Sequence, residues 1–192
     1  MRGTLIATPA GDVPIEELSI ADPVLTLSGD AKPIKWIGRR TVSTLFADPL
    51  HVLPIRIKAN ALGNNVPSRD LLLSPDHALF IDGVLVHAGA LVNASSIVRE
   101  TDVPARFTYY HVELDDHALI FAENTPAESF IGNVDYVLFD NCQEYVTLYP
   151  QGRSIIEMPY PRAKAYRQVP RTIRERLAAR AAVVCTPGDL AA

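Results

Sequence analysis

The chain has 192 residues, of which 48% are hydrophobic and 21% charged, a composition that excludes a disordered protein and suits one folded domain. No run of about 18 apolar residues occurs, so neither a membrane-spanning helix nor an export signal is expected. The two cysteines, Cys142 and Cys185, match no metal-binding spacing and predict neither a disulfide framework nor a bound metal.

The net charge of −4 hides a strong asymmetry. Seven basic residues and one acid, Glu175, lie between Arg162 and Arg180, so this window carries +6 and the remainder of the chain −10. A basic segment of this kind can bind nucleic acid or an anionic surface. No nucleic-acid-binding motif or interleaved aromatic residue accompanies the charge. We therefore expect no nucleic-acid partner and predict a tail that folds back on its acidic body or exposes a solvated helix face.

Short β-type runs bounded by turn residues dominate the first 140 residues and predict a mostly β domain over residues 1–140. Pro54 cannot donate to a strand ladder, so the run at 51–57 is predicted as an edge or bulged strand. Three further runs, each followed by a turn that contains Gly or Asp, lie at 5–8, 24–27 and 34–37.

Two hairpins are predicted further along. The clearer one lies within residues 78–86, where Asp82-Gly83 separates two apolar runs, because Asp-Gly supplies the positive φ angles of a type I′ turn. The other is predicted between the runs at 109–114 and 118–122, the first of which alternates well between apolar and polar residues. Each pair of runs is expected to form adjacent antiparallel strands.

After Pro170 the apolar residues recur at intervals of three and four. This spacing predicts one helix over about 171–184, which Pro170 can begin and Pro187-Gly188 stops. We therefore predict a C-terminal extension, residues 141–192, that contains this basic helix and packs on or trails the body. The apolar positions of the helix are Ile173, Leu177, Ala181 and Val184.

Several short groups of residues also follow one another in a fixed order. They are Gly3-Thr4-x-Ile6-x-Thr8-Pro9-x-Gly11, Pro33-Ile34-x-Trp36-Ile37-Gly38-x-Arg40, Leu71-Leu72-Leu73-Ser74-Pro75-Asp76-His77, His111-Val112-Glu113-Leu114-x-x-His117 and Pro126-Ala127-Glu128-Ser129. Each is weak alone, but the ordered set resembles the motif blocks of Hedgehog/intein (Hint) domains, those of bacterial Hint-domain proteins in particular. The resemblance implies a compact, horseshoe-like β fold of short strands and hairpins, and a self-processing function.

The resemblance also implies candidate catalytic residues. In Hint domains a Cys attacks the peptide bond before it, and a His in a Thr-x-x-His block protonates the leaving nitrogen while the hydroxyl residue helps to position it. The segment from Ser74 to His77 stands at that place. His77 is therefore the candidate proton donor and Ser74 its positioning residue. Without the resemblance, Ser-Pro-Asp is an ordinary turn before a strand, and His77 is a structural histidine.

A second candidate lies in the late block. His117 stands where inteins carry a late-block His, and Asp116 beside it would raise the pKa of that imidazole if its carboxylate faced the ring. The alternative is a loop residue exposed to water. Metal binding is a further alternative, since His77, His111, His117 and Asp76 are residue types that bind zinc. No metal-ligand spacing supports it, so neither a metal nor another cofactor is expected.

Two departures from the family pattern limit the implied chemistry. The usual Cys would fall ahead of Met1, and Met1-Arg2 offers no nucleophile. Splicing ends with a His-Asn pair whose Asn cyclises, whereas Glu128-Ser129 stands at that place, and a Glu carboxylate is not a nucleophilic amide. We therefore expect no splicing, and we expect the sequence as printed to be catalytically silent.

Three hypotheses about function follow. The first is a Hint domain that is either degenerate or an N-terminally truncated, cysteine-dependent self-cleaving module, whose partner would be its own upstream passenger segment. The second is a non-catalytic binding or scaffold module that uses the basic helix through Arg171, Arg174, Arg176 and Arg180. The third is a metal-dependent hydrolase built on the histidines.

Overall fold

The computed structural model describes residues 1–45, 47–132 and 136–185. Short strands dominate these residues and most of them pair antiparallel, so the predicted mostly β class is confirmed. Within the same residues, no helix is both long enough and apolar enough to cross a bilayer.

The strands are, in chain order, β1 (Leu5–Thr8), β2 (Gly11–Pro14), β3 (Pro23–Leu25), β4 (Ala31–Pro33), β5 (Trp36–Ser43), β6 (Ile55–Ile57), β7 (Leu71–Leu73), β8 (Ala78–Ile81), β9 (Val84–His87), β10 (Ile97–Arg99), β11 (Arg106–Glu113), β12 (Leu119–Ala122), β13 (Thr125–Glu128) and β14 (Arg162–Ala163). The α-helices are α1 (Pro49–Val52), α2 (Cys142–Leu148) and α3 (Arg171–Val184), and short 3₁₀ turns lie at Ile15–Glu17, Ala88–Leu91, Tyr136–Leu138 and Tyr166–Gln168.

The largest sheet has seven strands in the order β14-β9-β8-β13-β12-β1-β2. The first predicted hairpin is confirmed, since β8 and β9 pair across Asp82 and Gly83, whose φ angles are 48° and 83°. The edge strand β14 comes from the C-terminal part of the chain and runs parallel to β9. The sheet thus combines strands from the N-terminal, middle and C-terminal parts of the chain.

The predicted pairing of residues 109–114 with 118–122 is wrong. Strand β11 pairs instead with β5 over eight residue pairs, from Arg106 opposite Ser43 to Glu113 opposite Trp36, and β12 pairs with β13 and β1. The two eight-residue strands match in length, and their ribbon satisfies more backbone hydrogen bonds than a short hairpin would. Residues 115–117 are therefore a corner between the ribbon and the main sheet.

The predicted strand at 51–57 is helical in its first part. The Asp48 side chain accepts a hydrogen bond from the Leu50 N–H (2.9 Å), and Pro49 occupies the first turn, where its missing N–H costs nothing. The chain becomes extended after Pro54 and enters β6 at Ile55.

Helix α3 packs on the body of the protein. Ile173 and Leu177 are 1% and 4% exposed and belong to the same apolar cluster as Ile6 of β1 and Leu79 of β8. The C-terminal part of the chain also contains α2, which the sequence pattern did not indicate because Tyr145 is its only buried residue. Helical spacing is visible in a sequence only where one face is apolar.

Candidate functional site

One cavity collects most of the histidines of the chain. It encloses about 260 Å³, and four of the five histidines line it, namely His51, His77, His87 and His111. Ser74, Glu128 and Ser129 line the same cavity. The fold therefore brings the segment around His77 together with the Glu128-Ser129 pair of the late motif.

His77 is held at the end of a tight turn between β7 and β8. Its backbone N–H donates to the Ser74 carbonyl (3.1 Å), its carbonyl accepts from Ala88 N–H (2.9 Å), and the Pro75 carbonyl accepts from Gly89 N–H (2.8 Å). Burial lowers the pKa of His77, and the negative charge of Glu128 and a hydrogen bond to the Glu128 backbone only partly oppose this effect. The ring is thus neutral near pH 7 and can accept a proton before it delivers one.

His111 is a second buried imidazole in the cavity. It lies on β11, with its ring centre 5.9 Å from that of His77 and 5.2 Å from that of Phe139. Burial lowers its pKa to about 3. From the sequence, His111 was expected only as a member of the late motif and as a possible metal ligand, not as a residue of the catalytic site. Its alternation with Tyr109, which also lines the cavity, was the available signal that both face the site.

His117 is buried rather than exposed in a loop. Its side chain has no solvent exposure, its Nδ1 accepts a hydrogen bond from Met158 N–H (2.9 Å), and its Nε2 lies 3.5 Å from Glu128 Oε2. Asp116 turns away from it and binds Lys32, with the nearer oxygen 2.6 Å from Nζ. The carboxylate that faces His117 is therefore that of Glu128, which lines the cavity, whereas His117 itself does not.

Glu128 is fully engaged by hydrogen bonds. Its Oε1 accepts from Ala78 N–H (3.0 Å) and Arg162 Nη1 (3.1 Å), and its Oε2 accepts from Arg162 Nη2 (2.8 Å). Burial by itself would raise the pKa of this carboxyl, but hydrogen bonds from His117 and Arg162 outweigh it and lower the pKa to about 2. Glu128 is consequently a fixed anion that joins the cavity to the C-terminal part of the chain.

Ser129, the neighbour of Glu128, is also committed to the backbone. Its Oγ accepts a hydrogen bond from Ala118 N–H (3.0 Å), its own N–H donates to the Ala118 carbonyl (2.8 Å), and the residue is 1% exposed. Neither member of the Glu128-Ser129 pair is free to move as a reacting group.

The first residues of the chain run past His77. Met1 lines a smaller cavity of about 40 Å³ together with His77 and Glu128. Its nitrogen lies 3.2 Å from Thr4 Oγ1 and 3.4 Å from the Leu72 carbonyl oxygen. The same nitrogen is close enough for its charge to lower the pKa of His77 and of His111.

The basic helix is engaged with its own chain. Arg171 contacts Glu175, and Arg174 lies over the Tyr166 ring. Arg176 contacts Asp82, and Arg180 donates to the backbone carbonyls of Asn60 and Gly63.

Across the described ranges 1–45, 47–132 and 136–185, no three His, Cys, Asp or Glu side chains are arranged to hold a metal ion.

The fold and the cavity define a class: a mostly β domain in which the Ser74–His77 turn, the β5–β11 ribbon and the end of a late hairpin meet at one histidine-lined site. A family model described as the Hint domain matches residues 1–133. The chain therefore belongs to the Hint domain family, which is related to self-splicing inteins. No curated protein gives a significant match.

The solved structures that match this chain are distant from it in sequence. The MchDnaB-1 intein is 13% identical, with 66% of this chain and 96% of that chain covered and a TM-score of 0.45. The bacterial intein-like domain from Clostridium thermocellum is 16% identical, with 67% and 96% covered and a TM-score of 0.45. The Msm DnaB1 intein splicing domain bound with zinc is 10% identical, with 65% and 95% covered and a TM-score of 0.43.

Proposed function

We propose that this Hint domain can assist cleavage of a peptide bond on its N-terminal side and cannot splice. The observation that carries the proposal is the position of Met1, which shares a cavity with His77. A peptide group just ahead of Met1 would lie beside the one imidazole that the family resemblance assigns to protonation of a leaving nitrogen. Ser74 directly follows strand β7 and lines the larger cavity, to which His77 also contributes.

The chemistry requires a cysteine ahead of Met1. Its sulfur would add to the carbonyl carbon of the preceding residue, and the C–N bond would then break. The neutral His77 ring can take the thiol proton and return it to the departing amine, so a thioester and a free amine result with no net change in protons. An added thiol would then release the upstream segment. Without such a cysteine, the domain retains only the assisting groups.

The splicing step is not supported by the residues at the other junction. Glu128 is held as a carboxylate by Arg162, and the Ser129 hydroxyl accepts a backbone hydrogen bond. A carboxylate cannot cyclise on its own carbonyl as the Asn side chain of an intein does. Cleavage on the C-terminal side is therefore not part of the proposed function.

The direct test fuses a passenger protein, followed by Cys-Phe, ahead of Met1 and adds dithiothreitol or hydroxylamine. We expect release of the passenger, with His77→Ala slowing it by about 100-fold or more, the usual contribution of a general acid or base. Ser74→Ala should slow it less, and Ser74→Thr should retain it. Arg171→Ala, on the exposed face of α3, is the matched control.

Two results would contradict the proposal. The first is a folded fusion that releases no passenger in the presence of added thiol. The second is release at the same rate in wild type and His77→Ala, since His77 would then have no part in the reaction. Replacing the introduced Cys by Ala must abolish release in every case, which shows that the thiol is the nucleophile.

A binding function through the basic helix is not favoured by the contacts. The four arginines that such a module would use already contact groups of the same chain. A partner would have to replace contacts such as Arg176 with Asp82 (2.6 Å) before it gained any of its own.

A further inference from the structure

The β5–β11 ribbon has a notch directly opposite His111. Gly38 is the residue paired with His111 across the ribbon. A Cβ atom built on Gly38 would lie only 2.7 Å from the Phe139 ring and 2.7 Å from the Trp36 ring. The absent side chain therefore leaves space that Phe139 fills.

Phe139 is supplied by the chain beyond the residues that the family model matches. Two side chains that follow it fasten this segment to β5. Asp140 Oδ2 accepts from the N–H and the hydroxyl of Thr41 (3.0 and 2.6 Å). Asn141 accepts from Arg39 N–H (2.9 Å) and donates to the Ile37 carbonyl (2.9 Å). Together these four hydrogen bonds hold Phe139 in register with Gly38.

Phe139 and Phe130 enclose the His111 ring. Both meet it edge to face, with ring centres 5.2 and 5.8 Å away and interplanar angles of 86° and 71°. Phe139 is 2% exposed and also packs on Trp36 at 5.1 Å. The aromatic contacts exclude water from this side of the imidazole.

We propose that Phe139 is a positioning residue of the cavity, which by filling the notch at Gly38 keeps water from His111 and fixes that ring beside His77. This role of Phe139 rests on the proposed function, because shielding His111 matters for the reaction only if His77 transfers the proton. Protonation of both rings, with centres 5.9 Å apart, would place two like charges in a buried site. Shielding His111 therefore reserves the proton for His77.

The electrostatic surroundings of His111 agree with this arrangement. The titratable and charged groups that face it are His77, the Met1 amino group, Arg40 and Glu128. Burial is the largest influence, and it lowers the pKa of His111 from 6.5 to about 3. A variant that admits water at the notch should thus return the pKa toward its ordinary value.

The test follows the histidine ring resonances of the folded chain by NMR between pH 3 and pH 8. In wild type we expect no titration of His111 above pH 5. In Phe139→Ala and in Gly38→Ala its pKa should rise by about one unit or more, the scale of a desolvation effect that is partly relieved.

Matched variants keep the result interpretable. Gly63→Ala is the control, because a Cβ there meets nothing closer than 3.8 Å, and His111 should titrate as in wild type. If either single change prevents folding, Phe139→Leu, which keeps a smaller apolar side chain against Gly38, takes its place and should raise the pKa of His111 by less than complete removal of the ring would. An unchanged His111 titration in folded Gly38→Ala and Phe139→Ala protein would overturn the proposal.

The NMR titration and the passenger-release assay together separate the two proposals. The NMR titration needs no cleavage and reports only whether Phe139 shields His111. Passenger release by the Cys-Phe fusion reports the proposed function independently. A shifted His111 with no release in any fusion would retain the shielding and reject the cleavage.

Discussion

Glu128 lines the cavity, but its carboxylate has a structural role. A carboxylate that is 9% exposed in its side chain is stable as an anion only if its oxygens are paired. Arg162 provides two hydrogen bonds and Ala78 a third. Glu128 thus anchors the C-terminal part of the chain to the main sheet through Arg162.

Replacing Arg162 by Ala should be strongly destabilising, because it leaves the Glu128 carboxylate buried without its main partner. Removal of one member of a buried pair typically costs about 3–5 kcal/mol. Urea denaturation at pH 7 measures the loss. Arg171→Ala removes an exposed pair with Glu175, with side chains 83% and 60% exposed, and should change the free energy of unfolding by less than about 1 kcal/mol.

Glu128→Gln combined with Arg162→Met should recover part of that loss, since the charge is then no longer buried alone. Equal unfolding free energies for Arg162→Ala and Arg171→Ala would show that the Glu128 pair contributes nothing.

Sequence patterns identified the site residues that local motifs carry and missed those that depend on packing. Ser74 and His77 were found because they stand close together in an ordered motif. Phe139 was not, since its role depends on Gly38, about a hundred residues earlier in the chain. Adjacency in the sequence favours Asp116 as the partner of His117, but the fold turns Asp116 toward Lys32.

Secondary-structure elements were likewise predictable where their signals are local in the sequence, and not where they depend on distant segments. The β8–β9 hairpin and helix α3 were predictable, because Asp82-Gly83 and a three- to four-residue apolar spacing are local signals. The pairing of β11 with β5 was not, because it joins strands more than sixty residues apart. Nothing in the sequence of α2 marks it as a helix, since only Tyr145 faces the core.

Helix α3 should be essential to the fold rather than an appendage. Leu177 is 4% exposed within the main apolar cluster, so Leu177→Ala should cost about 2–5 kcal/mol through lost burial and the cavity left behind. Thermal or urea unfolding measures the change. Val183→Ala is the matched control in the same helix, because that side chain is 74% exposed. A Leu177→Ala protein as stable as the control would mean that α3 does not share the core.

At the scale of the whole molecule, the free energy of unfolding depends on pH through two buried carboxyl groups, Glu128 and Glu113, whose pKa values are shifted in opposite directions. The pKa of Glu128 is lowered to about 2, so its contribution is present above its ordinary value of 4.5 and is lost as the pH falls toward 2. The pKa of Glu113 is raised to about 7, chiefly by burial, against the effects of Arg153 and Tyr145. Its contribution is complete below 4.5 and is lost as the pH rises through 7.

Glu113→Gln should therefore remove the loss of stability that ionisation of Glu113 causes as the pH rises above 4.5. Relative to wild type, we expect the variant to gain up to about 3 kcal/mol between pH 4.5 and pH 8, at roughly 1.4 kcal/mol for each unit of pKa displacement. Urea unfolding across this pH range measures the difference. Glu175→Gln, which removes an exposed acid, should show no such trend, and parallel curves for Glu113→Gln and wild type would contradict the assignment.

The downstream part of the chain is interleaved with the part that precedes Glu128. Strand β14 is hydrogen-bonded to β9, α3 shares the core, and Asn141 is fastened to β5. If the backbone were broken just after Ser129, these contacts would still hold the two fragments as a single non-covalent complex. Bond cleavage and product dissociation at that junction are thus separate events in this molecule, and breaking the bond would not by itself free the downstream fragment.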